Sequence, residues 1–447
     1  MTNKLNTLLC SCLLLFTVAS AQKKTEWVTL KGELKNFSNQ VQVEDLSEFQ
    51  YLLPPTNERM IVPDAKSSFN IRFKLAKPNY FRLGRNILYL SPGDDMEIVV
   101  DYKNQMAAVF KGRGAEANAY LKSTPFPKGG SFIEAGSQVK ESPEATIIAI
   151  EAQADIRRKE LANTKNVTAE FRRLEQARIK ADLINSFYSG EDYSIYSLKL
   201  KDEKAKEFSL AYQKAIAPKL AFYSKNFVDA SLMKLVVYRD IASDLVKNGG
   251  KAADLQSIND WYSSYSMVRA IQKVSDKSQL GAFKAKIAAI KTPELRGVVN
   301  QTLVRQMAFG KGDTAVDFIA EDLSGRQVSL SSLKGKVVYV DLWATWCGPC
   351  MKEMPYFEKL KLKYKDNPAV VFISLSLDDT TTPWKASVAE RKADGYQWHI
   401  NRSKLRDYNI VGIPRSLLID KDFKMVDMNA PMPSETEVGQ RIDELLK

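Results

Sequence analysis

Cys347 and Cys350 are separated by a Gly-Pro pair in the segment WCGPC. Two thiols at this spacing can form a redox couple, supply half of a zinc site, or belong to an apolar core. A structural zinc site needs four ligands, whereas the mature chain expected after loss of residues 1–21, with Cys10 and Cys12, has only these two thiols and one histidine, His399. The sequence therefore disfavours a zinc site, and it predicts no metal and no cofactor.

The predicted secondary structure around the pair favours redox chemistry. A strand is predicted over residues 336–342 and a helix over residues 349–365, so Cys347 lies at the start of the helix. The unpaired N–H groups of the first turn and the helix dipole favour negative charge on its sulfur, and the thiolate is the nucleophilic form. Cys350 follows one turn later on the same face. Pro349 suits this first turn because it has no N–H to leave unpaired.

The hydrophobic pattern divides the chain into three regions, so the predicted fold class is multidomain. Residues 22–114 alternate apolar and polar side chains, as in 69–75, and predict an antiparallel, β-sandwich-like accessory domain. Residues 115–312 carry apolar side chains at spacings of three and four, which predicts an α-helical region that ends in a linker at 310–312. Strands and helices alternate in residues 313–447, which predicts an α/β domain.

Residues 1–21 have the pattern of a secretory signal peptide. A positively charged start precedes an apolar segment at residues 8–18, which is too short to cross a bilayer, and small residues at 19–21 provide a cleavage site. Cleavage would remove Cys10 and Cys12 and leave the CxxC pair as the only cysteines. The sequence thus predicts a periplasmic protein. Lipid attachment at Cys12 is an alternative.

The net charge of +12 is unevenly distributed along the 447-residue chain. Residues 313–447 contain 19 basic and 20 acidic side chains, so the excess positive charge belongs to the preceding regions. A solvated helical surface and an attraction to anionic lipid headgroups or envelope polymers both account for this excess. The basic residues do not alternate with aromatic residues as in a nucleic-acid site, so no nucleic-acid partner is predicted.

Two motifs within residues 313–447 resemble those of a known family. The segment WCGPCMKEMP at residues 346–355 resembles the active-site motif of the TlpA/ResA-like thiol–disulfide oxidoreductases, which have a thioredoxin fold. The segment GIPRSLLID at residues 412–420 is similar to their cis-proline strand. Residues 25–121 resemble, more loosely, an uncharacterised β domain that precedes TlpA-like domains in some bacteria.

This resemblance implies roles for individual residues. Cys347 is expected to attack a substrate disulfide and Cys350 to resolve the mixed disulfide, so the two form a redox disulfide. Pro414 is expected to be cis and to face the pair, and the backbone of Ile413 to hydrogen-bond an extended substrate segment. Asp341, six residues before Cys347, is expected to be a buried acid with a raised pKa that accepts the Cys350 proton.

Residues next to the cysteines are expected to form the rest of the substrate-binding surface, namely Trp346, Gly348 and Pro349. Glu353 fits the family pattern, but a single glutamate on a helix is also common as a solvated residue. His399 has no acid and nucleophile pattern around it in the sequence, so we expect it to be a packing residue.

The predicted function is an envelope thiol–disulfide oxidoreductase that reduces protein disulfides. A Gly-Pro spacer resembles that of thioredoxin, with a potential of about −270 mV, rather than that of a strong oxidant near about −120 mV. Its implied partners are disulfide-containing envelope proteins and a membrane protein that donates electrons. A peroxiredoxin is disfavoured, since that family uses a Thr-x-x-Cys site. The alternative is a protein- or carbohydrate-binding or chaperone module that carries a redox domain.

Overall fold

A computed structural model describes residues 26–37, 41–46, 59–64, 66–125, 130–274, 276–378, 381–410 and 412–447. The predicted signal peptide, with Cys10 and Cys12, lies outside these residues. Within them, no helix is long and apolar enough to cross a membrane.

The first part of the described chain forms β-sheets, as predicted. Its strands are β1 (Trp27–Lys35), β2 (Val41–Gln42), β3 (Glu44–Asp45), β4 (Met60–Ile61), β5 (Ser68–Lys74), β6 (Asn79–Leu83), β7 (Asn86–Leu90), β8 (Asp95–Asp101) and β9 (Val109–Arg113). One sheet has the order β5-β1-β8-β9 and another the order β3-β6-β7. Buried side chains from both sheets, such as Val28, Phe81 and Ile98, form one apolar core.

One strand pairing differs from the antiparallel arrangement that the sequence predicts. β1 and β8 are parallel, with Leu30 beside Met96, whereas the pairs β1–β5, β6–β7 and β8–β9 are antiparallel. The long connection between β1 and β8 lets the chain re-enter the sheet in the same direction. Because side chains alternate in the same way in both kinds of pairing, the hydrophobic pattern does not distinguish them.

The largely apolar residues 80–90, whose pattern predicts one continuous strand, form a hairpin of two strands instead. β6 and β7 are joined by a turn at Gly84 and Arg85, and Gly84 has a φ of 59°, which glycine adopts at low cost. A Cβ atom at Gly84 would lie 2.6 Å from the ring of Phe37. Because apolar residues continue on both sides of the turn, the hydrophobic pattern does not reveal it.

The helical region is also present as predicted. Its helices are α1 (Ala115–Leu121), α2 (Pro143–Asn163), α3 (Ala169–Ser197), α4 (Asp202–Ser224), α5 (Val236–Leu245), α6 (Ala252–Gln272), α7 (Phe283–Ala289) and α8 (Pro293–Ala308). The side-chain oxygens of Ser142 and Thr168 accept hydrogen bonds from backbone N–H groups at the starts of α2 and α3. The helical core also includes Tyr80 and Tyr89 of β6 and β7. Since the two regions share this core, the domain boundary after residue 114 stays a prediction.

The C-terminal part has the predicted thioredoxin-like α/β architecture. Its elements are β10 (Ile319–Asp322), β11 (Gln327–Ser329), β12 (Val337–Trp343), α9 (Gly348–Lys363), β13 (Val370–Ser376), α10 (Thr381–Arg391), β14 (Tyr396–His399), β15 (Arg415–Ile419), β16 (Met425–Ala430) and α11 (Glu437–Leu446). The sheet order is β11-β10-β14-β13-β12-β15-β16. β12 and β13 are buried along their whole length, which explains their continuous apolar sequences.

The α/β part packs directly against the helical region. The buried side-chain amide of Asn409 donates to Gln306 Oε1 at 3.0 Å. In the predicted linker, the N–H of Gly312 donates to the carbonyl oxygen of Met425 at 2.8 Å. The contact between Asn409 and Gln306 fixes the position of the α/β part relative to α8.

Candidate redox site

Cys347 and Cys350 lie where β12 leads into α9. Cys347 is the N-cap of α9, and Gly348 and Pro349 are its first two residues. The two sulfurs form a disulfide with an S–S distance of 2.00 Å and a Cα–Cα distance of 5.2 Å. The backbone N–H of Cys350 donates to Cys347 Sγ at 3.2 Å. The first turn of the helix therefore directs a peptide N–H at the sulfur of Cys347.

The two sulfurs differ in their access to solvent. Cys347 is 5% exposed and Cys350 is 1% exposed, and the side chain of Cys350 faces the interior of the domain. Trp346, Gly348 and Pro349 are all exposed around the disulfide. These residues lie where the sequence analysis places the substrate surface, and they leave Cys347 as the more accessible of the two cysteines.

Asp341 lies beneath the helix that carries the cysteines. It is 1% exposed in the middle of β12. Because side chains alternate along a strand, Asp341 is on the same face of the sheet as Tyr339 and Trp343. The ring of Tyr339 packs against that of Phe357 in α9, with 6.5 Å between centroids. This face of β12 is therefore the one that α9 covers.

Burial raises the pKa of Asp341 to about 7. The negative charge of Glu353 on α9 acts in the same direction, while a hydrogen bond from Ser416 and the positive charge of Arg391 oppose it. Asp341 Oδ1 has no hydrogen-bond partner among the described residues. A carboxyl group with this pKa and an unpaired oxygen can exchange a proton near neutral pH.

The loop before β15 packs against the disulfide. The peptide bond between Ile413 and Pro414 is cis, in the conformation that the family resemblance implies. Ile413 is half-buried and packs against the apolar cluster that contains Trp343, Cys347 and Cys350. The tertiary structure thus brings the two sequence motifs, which begin at residues 346 and 412, to one site.

A buried carboxylate that the sequence analysis missed holds the loop before Cys347. Asp378 is 2% exposed and accepts hydrogen bonds from the backbone N–H of Thr345 at 3.0 Å and from its hydroxyl group at 2.6 Å. The carbonyl oxygen of Asp378 lies 2.7 Å from His399 Nε2, and the His399 ring stacks on Trp384. An acid two residues after the end of the central strand β13 was the available sequence signal. The contacts of His399 are those of a packing residue.

Two further charged residues lie near the site, Arg391 on the neighbouring helix α10 and Glu353 on α9 itself. The Arg391 guanidinium of α10 lies 4.8 Å from the centroid of the Trp343 ring, and burial lowers its pKa. The carboxylate of Glu353 accepts hydrogen bonds from the N–H and the hydroxyl of Ser434, at 3.0 and 2.9 Å. Arg391 was not predicted from the sequence, because only the fold places α10 next to β12.

Residues 310–441 match the Redoxin family model. The chain is 37% identical over 142 residues to the thiol–disulfide oxidoreductase ResA of Bacillus thuringiensis, over 30% of this chain and 80% of ResA. It is 30% identical over 140 residues to the thioredoxin-like protein YneN of Bacillus subtilis, over 31% of this chain and 82% of YneN. The thioredoxin domain of a thiol–disulfide oxidoreductase from Bacteroides vulgatus aligns over 31% of this chain and 99% of that domain, with 29% identity and a TM-score of 0.29.

The residues matched by the family model contain the disulfide, Asp341 and the cis peptide bond. The alignment with ResA extends over most of that protein. With this α/β domain, the chain belongs to the ResA-like thiol–disulfide oxidoreductases of the Redoxin family.

Proposed function

We propose that this protein reduces disulfide bonds in proteins of the bacterial envelope, with Cys347 as the nucleophile and Cys350 as the resolving thiol. The observation that carries this proposal is the 3.2 Å contact from the Cys350 N–H to Cys347 Sγ at the start of α9. In the dithiol form, this N–H and the dipole of α9 stabilise a thiolate on Cys347. A thiolate is the species that attacks a disulfide.

The first step joins the protein to its substrate. The Cys347 thiolate attacks one sulfur of the substrate disulfide, a new S–S bond forms to Cys347, and the other substrate sulfur leaves as a thiolate. The backbone of Ile413, beside cis-Pro414, holds an extended substrate segment by hydrogen bonds in this proposal, and the cis peptide bond and the packing of Ile413 against the cysteine cluster support this role. Trp346, Gly348 and Pro349 provide the exposed surface on which the substrate lies.

The second step releases the reduced substrate. The Cys350 thiol gives its proton to Asp341, and the resulting thiolate attacks the Cys347 sulfur. The Cys347–Cys350 bond forms, the mixed disulfide breaks, and the second substrate sulfur leaves as a thiolate. Two electrons have passed from the protein to the substrate. The Asp341 carboxylate suits this role because it is buried beneath α9 and has a pKa of about 7.

A second dithiol must return the pair to its reduced form by the same exchanges in reverse. We assign this role to a membrane protein that carries reducing equivalents. The assignment to the envelope depends on the signal-peptide pattern of residues 1–21, with lipid attachment at Cys12 as the alternative.

Trapping of the substrate tests the function. Cys350→Ala should accumulate mixed disulfides with envelope proteins of the native host, because the second step is blocked. Cys347→Ala/Cys350→Ala is the matched control and should capture none. Mass spectrometry of the captured proteins identifies the substrates. Capture by Cys347→Ala, with none by Cys350→Ala, would show that the roles of the two cysteines are reversed.

The reduction of insulin separates an enzyme from a binding module. The full-length dithiol protein should reduce insulin disulfides with dithiothreitol as the electron source, and Cys347→Ser should be inactive. A protein- or carbohydrate-binding or chaperone module would instead capture no substrate by disulfide exchange, and its ligand binding would be unchanged by Cys347→Ser.

A further inference from the structure

A cleft connects the redox motif to the regions that precede the α/β domain. Its volume is about 900 Å³, and its walls come from the hairpin turn at Arg85, from the segment around Tyr102 and Met106, and from residues 122–125 after α1. The α/β domain contributes Trp346, which directly precedes Cys347. We call this space the Trp346 cleft. A molecule that fills it extends to within one residue of the proposed nucleophile.

We propose that the Trp346 cleft binds the polypeptide that flanks the substrate disulfide, and that it favours a segment with acidic side chains. This inference rests on the proposed function and adds a substrate class to it. It assigns substrate selection to the β region and the start of the helical region.

The apolar side chains of the cleft are unusually exposed. Trp346 is 63% exposed, Met106 is 56% exposed and Tyr102 is 50% exposed. Aromatic residues, methionine and arginine are enriched where proteins bind other proteins, and a buried aromatic anchor often supplies much of the binding energy. The contrast with Trp343, which is fully buried three residues earlier, shows that Trp346 does not complete the core of its own domain.

The charges of the cleft favour an acidic ligand. Among the described residues that line it, four are basic and two are acidic. Arg82 pairs with Glu44, and Lys122 Nζ donates to a backbone carbonyl oxygen at 3.0 Å. Arg85 is exposed and forms no ion pair within the described part of the chain. An acidic side chain of the substrate would therefore meet Arg85 without displacing an existing ion pair.

The wall that carries Tyr102 and Met106 is held in place before any ligand binds. Gln105 lies in the 3₁₀ turn of this wall, and its carbonyl oxygen accepts a hydrogen bond from the side chain of Asn86 in β7 at 3.0 Å. The side chain of Gln105 donates to the carbonyl oxygen of Thr124, after α1, at 3.2 Å. Since the wall is fixed to both the sheet and the helical region, the ligand bears little of the entropic cost of ordering it.

Single-turnover kinetics tests the proposal. The full-length dithiol protein is mixed with hydroxyethyl disulfide or with disulfide peptides whose flanking residues are either all acidic or all neutral. The rate constant of protein oxidation is measured in each case. The wild type should react faster with the acidic peptide than with the neutral one. This preference should diminish at high salt, because salt screens exposed charges.

Arg85→Glu should slow the reaction with the acidic peptide about three- to tenfold, in the range of a reversed exposed charge contact. Tyr102→Ala should slow the reaction with both peptides about tenfold, as expected when an aromatic anchor is removed. Neither substitution should change the rate with hydroxyethyl disulfide, which is too small to reach these residues. Arg305→Glu, at an exposed arginine of α8 that does not line the cleft, is the matched control and should behave as wild type.

Three results with the variants would overturn the proposal. One is an Arg85→Glu protein with unchanged rates for all three substrates, and another is an equal loss for hydroxyethyl disulfide and the peptides. The third is a dimer in sedimentation that Arg85→Glu dissociates, because the cleft would then be an interface between two copies. If the wild type reduces none of the three substrates, the proposed function itself is wrong. Efficient reduction of all three without selectivity contradicts the cleft proposal alone.

Discussion

Two buried aspartates, Asp341 in the α/β domain and Asp182 in the helical region, have the same titration behaviour in very different surroundings. Asp341 is 1% exposed and Asp182 is 4% exposed, and burial raises the pKa of each to about 7. Asp182 accepts a hydrogen bond from the Ser131 hydroxyl at 2.7 Å and lies near the positive charge of Arg178. Asp341 has one oxygen without a partner among the described residues and lies beneath the redox helix.

The side chains around Asp182 connect the helical region to the β region. Arg178 Nε donates to Glu175 at 2.9 Å, and the hydroxyl of Tyr80 in β6 donates to the same carboxylate at 2.5 Å. This cluster joins α3 to the β region. A raised pKa therefore reports burial and does not by itself identify a catalytic acid. Asp341 differs from Asp182 in that it lies next to a reactive group and has a carboxylate oxygen without a hydrogen-bond partner in the described part of the chain.

The largest expected effect separates the two aspartates by kinetics. Asp341→Asn should slow the decay of the mixed disulfide about 10²–10⁴-fold, because Cys350 loses its general base. Formation of the mixed disulfide should be nearly unchanged, since it needs only the Cys347 thiolate. Asp182→Asn should leave both steps unchanged. Rapid acid quenching followed by mass spectrometry measures the two steps, and equal decay rates in wild type and Asp341→Asn would exclude Asp341 from the chemistry.

The second effect is on the pH dependence of stability, and it should be similar for the two aspartates. A folded-state pKa of about 7, above the usual value of 3.8, means that folding favours the protonated form. Each carboxyl group therefore makes its full contribution to the free energy of unfolding below about pH 4. This contribution is lost as the pH rises through about 7, by about 4 kcal/mol per group. Asp341→Asn and Asp182→Asn should each flatten this decrease, measured by urea unfolding of the oxidised protein from pH 4 to 8. A decrease that neither substitution changes would contradict both pKa values.

A third experiment tests the structural role of the cluster around Asp182. Arg178→Met should destabilise the protein by about 3 kcal/mol, because it leaves the fully buried carboxylate of Glu175 without its cation. Arg158→Met, which breaks the exposed pair with Asp155, is the control and should cost less than about 1 kcal/mol. The redox rates of both variants, measured under conditions where they are folded, should equal those of wild type. A lower rate in Arg178→Met would connect the cluster to catalysis.

The smallest expected effect concerns the loop before Cys347. Asp378→Asn weakens the hydrogen bonds to Thr345 because it removes the charge of the acceptor, and it should reduce stability by about 1 kcal/mol. The rate of mixed-disulfide formation should fall by less than about tenfold, and equally for small and peptide disulfides, because the loop carries Cys347 itself. A loss confined to peptides would show that the loop acts in substrate binding instead.

The sequence alone was sufficient for the parts of the site that depend on neighbouring residues. The junction of an apolar strand with a helix that starts at Gly348 places Cys347 at an N-cap, and spacing alone places Cys350 one turn later. The apolar residues around Asp341 predict a buried strand, whereas the burial of Asp341 itself was implied by the family resemblance. The strand and the helix start rest on local periodicity and on helix-end chemistry, both of which can be read from consecutive residues.

Only the tertiary structure decided which distant residues complete the site. Asp378 meets Thr345 because β13 lies parallel to β12, and Arg391 reaches Trp343 only once α10 packs beside the sheet. The parallel pairing of β1 with β8 could not be predicted from the sequence either, because side chains alternate in the same way in parallel and antiparallel pairs. The Trp346 cleft depends on how three regions pack together. Contacts of this kind join residues that are far apart in the chain, and no local pattern of residue types specifies them.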